Sequence, residues 1–216
     1  MQAATRVTLE LTGRPPGLVL NNGELADDTN PIAVQIAELV DAGRGRKKLT
    51  DEQRERKDHL NWRGSLYVNQ DGKLYLPANN LLRAIVAAAR EYNLGTKIED
   101  RGAIMLEAAP PELIIDHDGP DDLKKLWADT RYRFRTLVNP NPSSRNKGLL
   151  PLMRPVFPGW SITTTAVIIP EMINWESFVK VMEAAGNVGV GNARKIGYGR
   201  FNVKITKLDI AKQSRA

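Results

Sequence analysis

At 216 residues, 42% of them hydrophobic and 26% charged, the chain has the composition of a water-soluble globular protein with room for one sizeable core and an insertion. It has no cysteine, which excludes disulfides, thiolate metal sites and a cysteine nucleophile, and no apolar run near the ~20 residues needed to span a bilayer. With no charged-then-apolar leader at its start, it is expected to be a soluble cytoplasmic protein, and a net charge of +6 favours an anionic partner.

From Thr5 to Leu11, Val7, Leu9 and Leu11 alternate with Arg6, Thr8 and Glu10, the period of a half-buried strand. Gly13 to Asn30 is rich in Pro, Gly and Asn and reads as a long loop. Asn30-Pro31 opens a helix as N-cap and first-turn proline, with Ile32, Ile36, Leu39 and Val40 on one face up to about Gly43. A basic connector, Arg44 to Lys48, follows. Thr50 and Gln53 have the spacing of a capping box, and the charged helix they begin, reaching about Trp62, is expected on the surface. Residues 20–63 therefore read as a helical insertion after the first strand.

Ser65 to Val68 and Lys73 to Leu76 flank Asn69-Gln70-Asp71-Gly72, a hairpin with Asp-Gly at its turn. Past Pro77, Asn79 or Asn80 is placed to cap a helix whose buried face carries Leu81, Leu82, Ile85, Val86, Ala89 and Tyr92. Ile104 to Glu107 and Glu112 to Ile115 read as short strands, and Asp121 to Ala128 as a short helix. Arg131 to Val138 alternates Arg131, Arg133 and Arg135 against Tyr132 and Phe134, so the three guanidiniums are expected on one strand face. Residues 139–148 form a polar loop or hairpin tip. Leu149 to Val156 and Trp160 to Ile169 are strands, the second rich in β-branched residues. Asn174 caps a helix carrying Phe178, Val181, Met182 and Ala185; Phe201 to Ile210 is the last strand and 211–216 a frayed tail. This order predicts an α+β fold: one ferredoxin-like or RRM-like domain over 1–216, an antiparallel sheet with helices on one face.

Charge is segregated along the chain. Residues 131–154 carry six cations and no acid, and 192–216 seven cations against Asp209, whereas 99–129 hold nine acids against three bases. A chain so arranged can offer one face to nucleic acid, although surface charge also serves solubility alone. The second basic segment holds the chain's densest motif, Gly189-Val190-Gly191-Asn192-Ala193-Arg194-Lys195-Ile196-Gly197-Tyr198-Gly199-Arg200-Phe201. Glycines permit positive φ and close approach, so such a loop could turn several amides toward one anion while Arg194, Lys195 and Arg200 add charge. It is no P-loop, since no Gly-Lys-Ser/Thr follows, and no dinucleotide fingerprint, since it leads into a strand. The alternative is a purely structural one, with the glycines serving the approach of the last helix to the sheet. Phe201 is expected in the core; Tyr198 is left for stacking.

A helix, Gly-x-Gly, a basic stretch, Gly-aromatic-Gly and a terminal strand resemble the C-terminal glycine-rich loop of the RAMP superfamily, the RNA-binding and RNA-processing subunits of CRISPR systems. Leu76-Pro77-Ala78-Asn79-Asn80-Leu81-Leu82-Arg83-Ala84 is similar to the strand-turn-helix of the subunits that coat CRISPR RNA. Asn22 to Asp27 is similar to a segment of uncharacterised phage proteins. The resemblance covers residues 5–11, 65–95 and 160–208. It implies an RRM-like fold that binds single-stranded nucleic acid, RNA before DNA, along a basic groove, in a prokaryotic or phage-infected cell. It implies a homo-oligomer or multi-subunit ribonucleoprotein, with filament formation along the strand. Phosphates would meet Arg83, Arg194, Lys195 and Arg200, with Tyr198 or Phe201 available for stacking, Gly189, Gly191, Gly197 and Gly199 shaping the loop and Arg131, Arg133 and Arg135 offering a further stripe.

No enzyme, cofactor or metal is expected. His59 lies in the polar insertion and His117 in an acidic turn, and Asp116-His117-Asp118 has no distant fourth ligand. Two alternatives stay open: a protein-interaction or anti-CRISPR decoy subunit working through 99–129 and the inserted helices, and a RAMP-type endoribonuclease.

Overall fold

The computed structural model describes residues 4–42, 48–138 and 150–208. The expected helix end at Gly43, most of the basic connector, the 139–148 loop and the 211–216 tail lie outside the described residues. In chain order the elements are β1 (Thr5–Gly13), β2 (Leu18–Val19), α1 (Pro31–Ala42), α2 (Asp51–Gly64), β3 (Tyr75–Pro77), α3 (Ala78–Arg90), α4 (Gly95–Glu99) and β4 (Ile104–Leu106). There follow β5 (Glu112–Ile114), β6 (Asp116–His117), α5 (Leu123–Ala128), β7 (Arg133–Val138), β8 (Leu150–Phe157), β9 (Trp160–Ile168), α6 (Trp175–Val188) and β10 (Phe201–Lys207). The fold is α+β with antiparallel sheets. The chain divides into two compact units, Met1–Leu18 with Val68–Asp118 and Pro158–Ala216, and Val19–Tyr67 with Gly119–Phe157. The helical segment read as an insertion thus shares a unit with residues 119–157.

In the first unit the sheet runs β10-β1-β9-β4, every pair antiparallel. With α3 between β1 and β4, and α6 between β9 and β10, this is the βαββαβ order of a ferredoxin-like core. The two-residue period sends Val7, Leu9 and Leu11 of β1 and Ile162, Ala166 and Ile168 of β9 to one face, all at most 2% exposed. Leu81, Ile85 and Ala89 of α3 and Phe178, Val181 and Met182 of α6 are buried with them. Neither Asn79 nor Asn80 caps α3. Its N-cap is Pro77, without a side-chain cap, and the Ala78 N–H donates to the Pro111 carbonyl at 2.9 Å instead.

The second unit builds on the pairing of β7 with β8 (Arg133↔Pro155 to Val138↔Leu150) in a sheet ordered β2-β8-β7. The Asn30 carboxamide accepts from the Ile32 N–H at 2.9 Å, and the Thr50–Gln53 capping box is formed in both directions. Helix α2 is not wholly a surface helix. Its last turn buries Asn61 and Trp62, and the Trp62 indole is completely enclosed while donating to the Tyr132 carbonyl at 2.8 Å. An aromatic at the end of a charged helix has no polar face to join, so it supplies this unit's core.

Candidate nucleic-acid interface

The glycine-rich segment begins where α6 stops: the Gly189 N–H closes the helix on the Ala185 carbonyl at 2.9 Å. Val190 N–H then donates to Gly199 O at 2.9 Å, and Gly199 N–H to Gly17 O at 2.7 Å, so the two ends of the loop are fastened to each other and to the segment after β1. Between them Arg194 to Ile196 form a 3-10 turn, with Ile196 N–H on Ala193 O and Gly197 N–H on Arg194 O. Gly199 has φ +73°, and a Cβ there would stand 1.8 Å from the Val190 carbonyl oxygen. No other residue type fits that position.

Five of the segment's amides, those of Gly189, Val190, Ile196, Gly197 and Gly199, are therefore committed to protein carbonyls and do not face an anion. What the loop presents is side chains. Arg194, Lys195 and Arg200 are exposed, Ile196 is 66% exposed between them and Gly197, and Tyr198 is half-buried. None of the three cations forms an ion pair among the described residues. Phe201 is in the core, 1% exposed. Arg83, on α3, is exposed in the same unit and also forms no ion pair among the described residues.

One residue of this constellation was not singled out from sequence. Arg14 receives the chain as it leaves β1: its N–H donates to the Arg200 carbonyl at 2.8 Å, and its guanidinium to Gly186 O at 2.8 Å and Asn187 Oδ1 at 2.9 Å. A cation on the Gly186 carbonyl in the last turn of α6 meets the negative end of the helix dipole and ties the loop's exit to the helix end. The available signal was its place between a periodic strand and Pro15-Pro16-Gly17.

The outer face of the first unit's sheet carries Thr8, Thr12, Ser161, Thr163, Thr165, Asn202 and Thr206, crossed by the ion pairs Arg6–Glu107 and Lys204–Glu10. Among the described residues of β1, β9 and β10 on this face none is aromatic, so it lacks the stacking residues with which RRM sheets hold bases.

In the second unit the expected arginine stripe keeps only Arg133 and Arg135, two positions apart in β7. Arg131 precedes β7, in a 3-10 turn capped by the Asp129 carboxylate, and is paired to it at 2.7 Å. The side-chain hydrogen bond from Arg131 holds the Asp129 carboxyl below its ordinary range. Arg135 is bound by Asp58 of α2. Arg133 donates from Nε to the Trp127 carbonyl at 2.6 Å and lies 3.9 Å over the Trp127 ring. His59, expected on the surface, is half-buried against Trp127 (4.9 Å) and Trp62 (6.3 Å), and burial, then Arg63 and Arg133, push its pKa down. His117 is paired in β6 with Trp160 of β9, and no cluster of three metal-ligating side chains occurs among the described residues. Nor, among them, is any helix long and apolar enough to cross a membrane.

No family model and no curated protein matches the sequence. Among the solved structures that match is a chain of the type III-B Cmr-beta assembly bound to cognate target RNA, at a TM-score of 0.51 and 14% identity. The match covers 95% of this chain and 61% of that one, so the chain spans about three fifths of its neighbour's length. At that identity the likeness is one of fold.

Proposed function

We propose that the protein binds single-stranded nucleic acid, RNA before DNA, through the cationic lip of the glycine-rich loop, as a non-catalytic subunit of a CRISPR-type ribonucleoprotein. The observation that carries this reading is the loop itself: three exposed cations, without acidic partners among the described residues, stand on a base fastened by five backbone hydrogen bonds. Lysine and arginine side chains held this way meet phosphates without first breaking ion pairs, and they release condensed counterions when they do. Arg83 supplies a further cation from α3, and Tyr198 and Ile196 offer surface to a base. With no aromatic among the described residues of β1, β9 and β10 on the outer sheet face, contact is expected at the loop rather than across the sheet. The fold likeness to a chain of an RNA-bound assembly supports the same reading.

The test is anisotropy of a labelled single-stranded RNA, and of the matching DNA, across a salt series. Affinity should fall steeply with salt, and Arg194→Glu with Lys195→Glu should lower it by about a hundredfold at low salt while flattening the slope. Salt-independent binding, or an unchanged slope in the double variant, would sink the site.

A further inference from the structure

A second cation-rich feature lies wholly within the second unit. Helix α2, the segment leading into it, Trp127 and the β7–β8 pair line an open cleft of about 640 Å³. That volume is within the ~300–1,000 Å³ usual for small-ligand sites. Its charges can be sorted by whether the fold already uses them. Arg54 is paired with Asp51, and Arg135 with Asp58, so those four cancel. What remains is Lys48, Lys57 and Arg133 against Glu55, and none of these forms an ion pair among the described residues.

Arg133 differs from the two lysines in being fixed. Its Nε–H is held by the Trp127 carbonyl and one face of its guanidinium is held by the Trp127 ring, which in turn rests on His59 and Trp62. Nε is spent on the carbonyl, and the terminal amines remain to meet an anion with their orientation already set. A planar fork held in place loses little rotamer freedom on binding, and it matches the two-oxygen edge of a phosphoryl group. Lysines with mobile ammonium groups can then neutralise the rest of the charge.

We propose that this cleft binds a phosphoryl group, with Arg133 as the fork that grips its oxygens and Lys57 and Lys48 as flanking charges. The site is separate from the glycine-rich loop and does not rest on the function proposed for it. The ligand has two sources of the same chemistry, a free nucleotide or one nucleotide of a bound strand.

The experiment titrates the full-length protein with sodium pyrophosphate, with ADP and with a labelled twelve-nucleotide single-stranded RNA at low salt, following the first two by calorimetry. Wild type should bind pyrophosphate and ADP with sub-millimolar Kd. Arg133→Gln should weaken both by about tenfold or more, the scale of a lost charge-assisted hydrogen bond, and Arg133→Lys should recover only part of it. Glu55→Gln, which removes the one acid left unpaired among the described residues lining the cleft, should tighten both about two- to threefold, and this gain carries the test even where Arg133→Gln lowers the melting temperature. If the oligonucleotide weakens in step with ADP, the pocket takes a nucleotide of the strand; if only ADP and pyrophosphate weaken, it takes a free nucleotide. Arg194→Glu with Lys195→Glu should leave ADP binding unchanged, which separates this site from the loop. The proposal is overturned if wild type binds neither small ligand below millimolar concentration, or if neither Arg133→Gln nor Glu55→Gln alters their affinity.

Discussion

The cations of the glycine-rich loop and those of the 131–135 segment stand in opposite relations to the fold. In the glycine-rich loop the backbone is consumed and the side chains are not: five amides close on protein carbonyls, and Arg194, Lys195 and Arg200 extend from that base without acidic partners among the described residues. In the 131–135 segment the side chains are consumed, Arg131 by Asp129, Arg135 by Asp58 and Arg133 in part by Trp127. Both segments are dense in positive charge. Only the three-dimensional pairing tells which charge is available to a ligand.

The most damaging way to probe this contrast is to attack the base of the loop rather than its charges. Gly199→Ala combines left-handed strain with a Cβ 1.8 Å from the Val190 carbonyl oxygen, and should cost about 3–5 kcal/mol. Gly197 is the control. It also has a positive φ, +96°, but the nearest atom to a Cβ there, outside its chain neighbours, is a Pro16 carbon 3.9 Å away, so Gly197→Ala should cost only about 1–2 kcal/mol. Urea unfolding of the two variants checks this. Equal losses would show that the loop's base is not rigid, and the contrast between the two segments would fail.

Next in size is the charge reversal already described, worth about 2.7 kcal/mol of binding for a hundredfold loss. Its counterpart in the other unit sharpens the comparison. Arg131→Gln and Arg135→Gln should change strand affinity by less than about threefold at low salt, because their carboxylate partners already neutralise them. A loss as large as that of Arg194→Glu with Lys195→Glu would mean that those ion pairs open on binding.

Much of the fold was legible because it rests on local signals. The capping box at Thr50, the Asn30-Pro31 helix start, the turn at Asp71-Gly72 and the alternation of β1 each needed only a few neighbouring residues, whereas the hairpin expected around that turn is reduced to the single bridge Val68↔Leu74, because β3 pairs with β5 instead. The loop's cations were legible for the same reason, and so was the Asp129–Arg131 pair in principle, two residues apart. Distant partners were not. Asp58 meets Arg135 across 77 positions, Trp62 meets the Tyr132 carbonyl across 70, and Arg14 reaches Asn187 across 173. Strand periodicity likewise placed Arg131 on a strand face, where the Asp129 cap instead holds it in the turn before β7. The separate grouping of 19–67 with 119–157 is a matter of long-range contact, which hydrophobic period does not encode.

Smaller effects address the second unit alone, where the cleft's wall is α2. Thr50→Ala removes one half of the capping box and leaves the Gln53 N–H without its acceptor, at a cost of about 1 kcal/mol to that helix. Hydrogen exchange at the first turn of α2 should rise accordingly, and nucleotide affinity at the cleft should weaken with it, while the glycine-rich loop's strand affinity stays constant. If loop binding falls as well, the two regions are coupled and cannot be compared as independent sites.

The smallest effect is a pH dependence. Burial against Trp62 and Trp127, then Arg63 and Arg133, lower the His59 pKa in the folded state below its ordinary value near 6.5. Between the two values the unfolded chain binds a proton that the folded chain does not, so stability rises with pH across that interval. The contribution is therefore fully present above about pH 6.5 and is lost as pH falls through the folded-state value. Urea midpoints from pH 7.5 down to pH 5 should decline in the wild type, and the decline should be shallower in His59→Asn, which stacks less but cannot titrate. An identical slope in both proteins would place the acid sensitivity elsewhere, and would mean that His59 is no more enclosed by the two indoles than a surface imidazole.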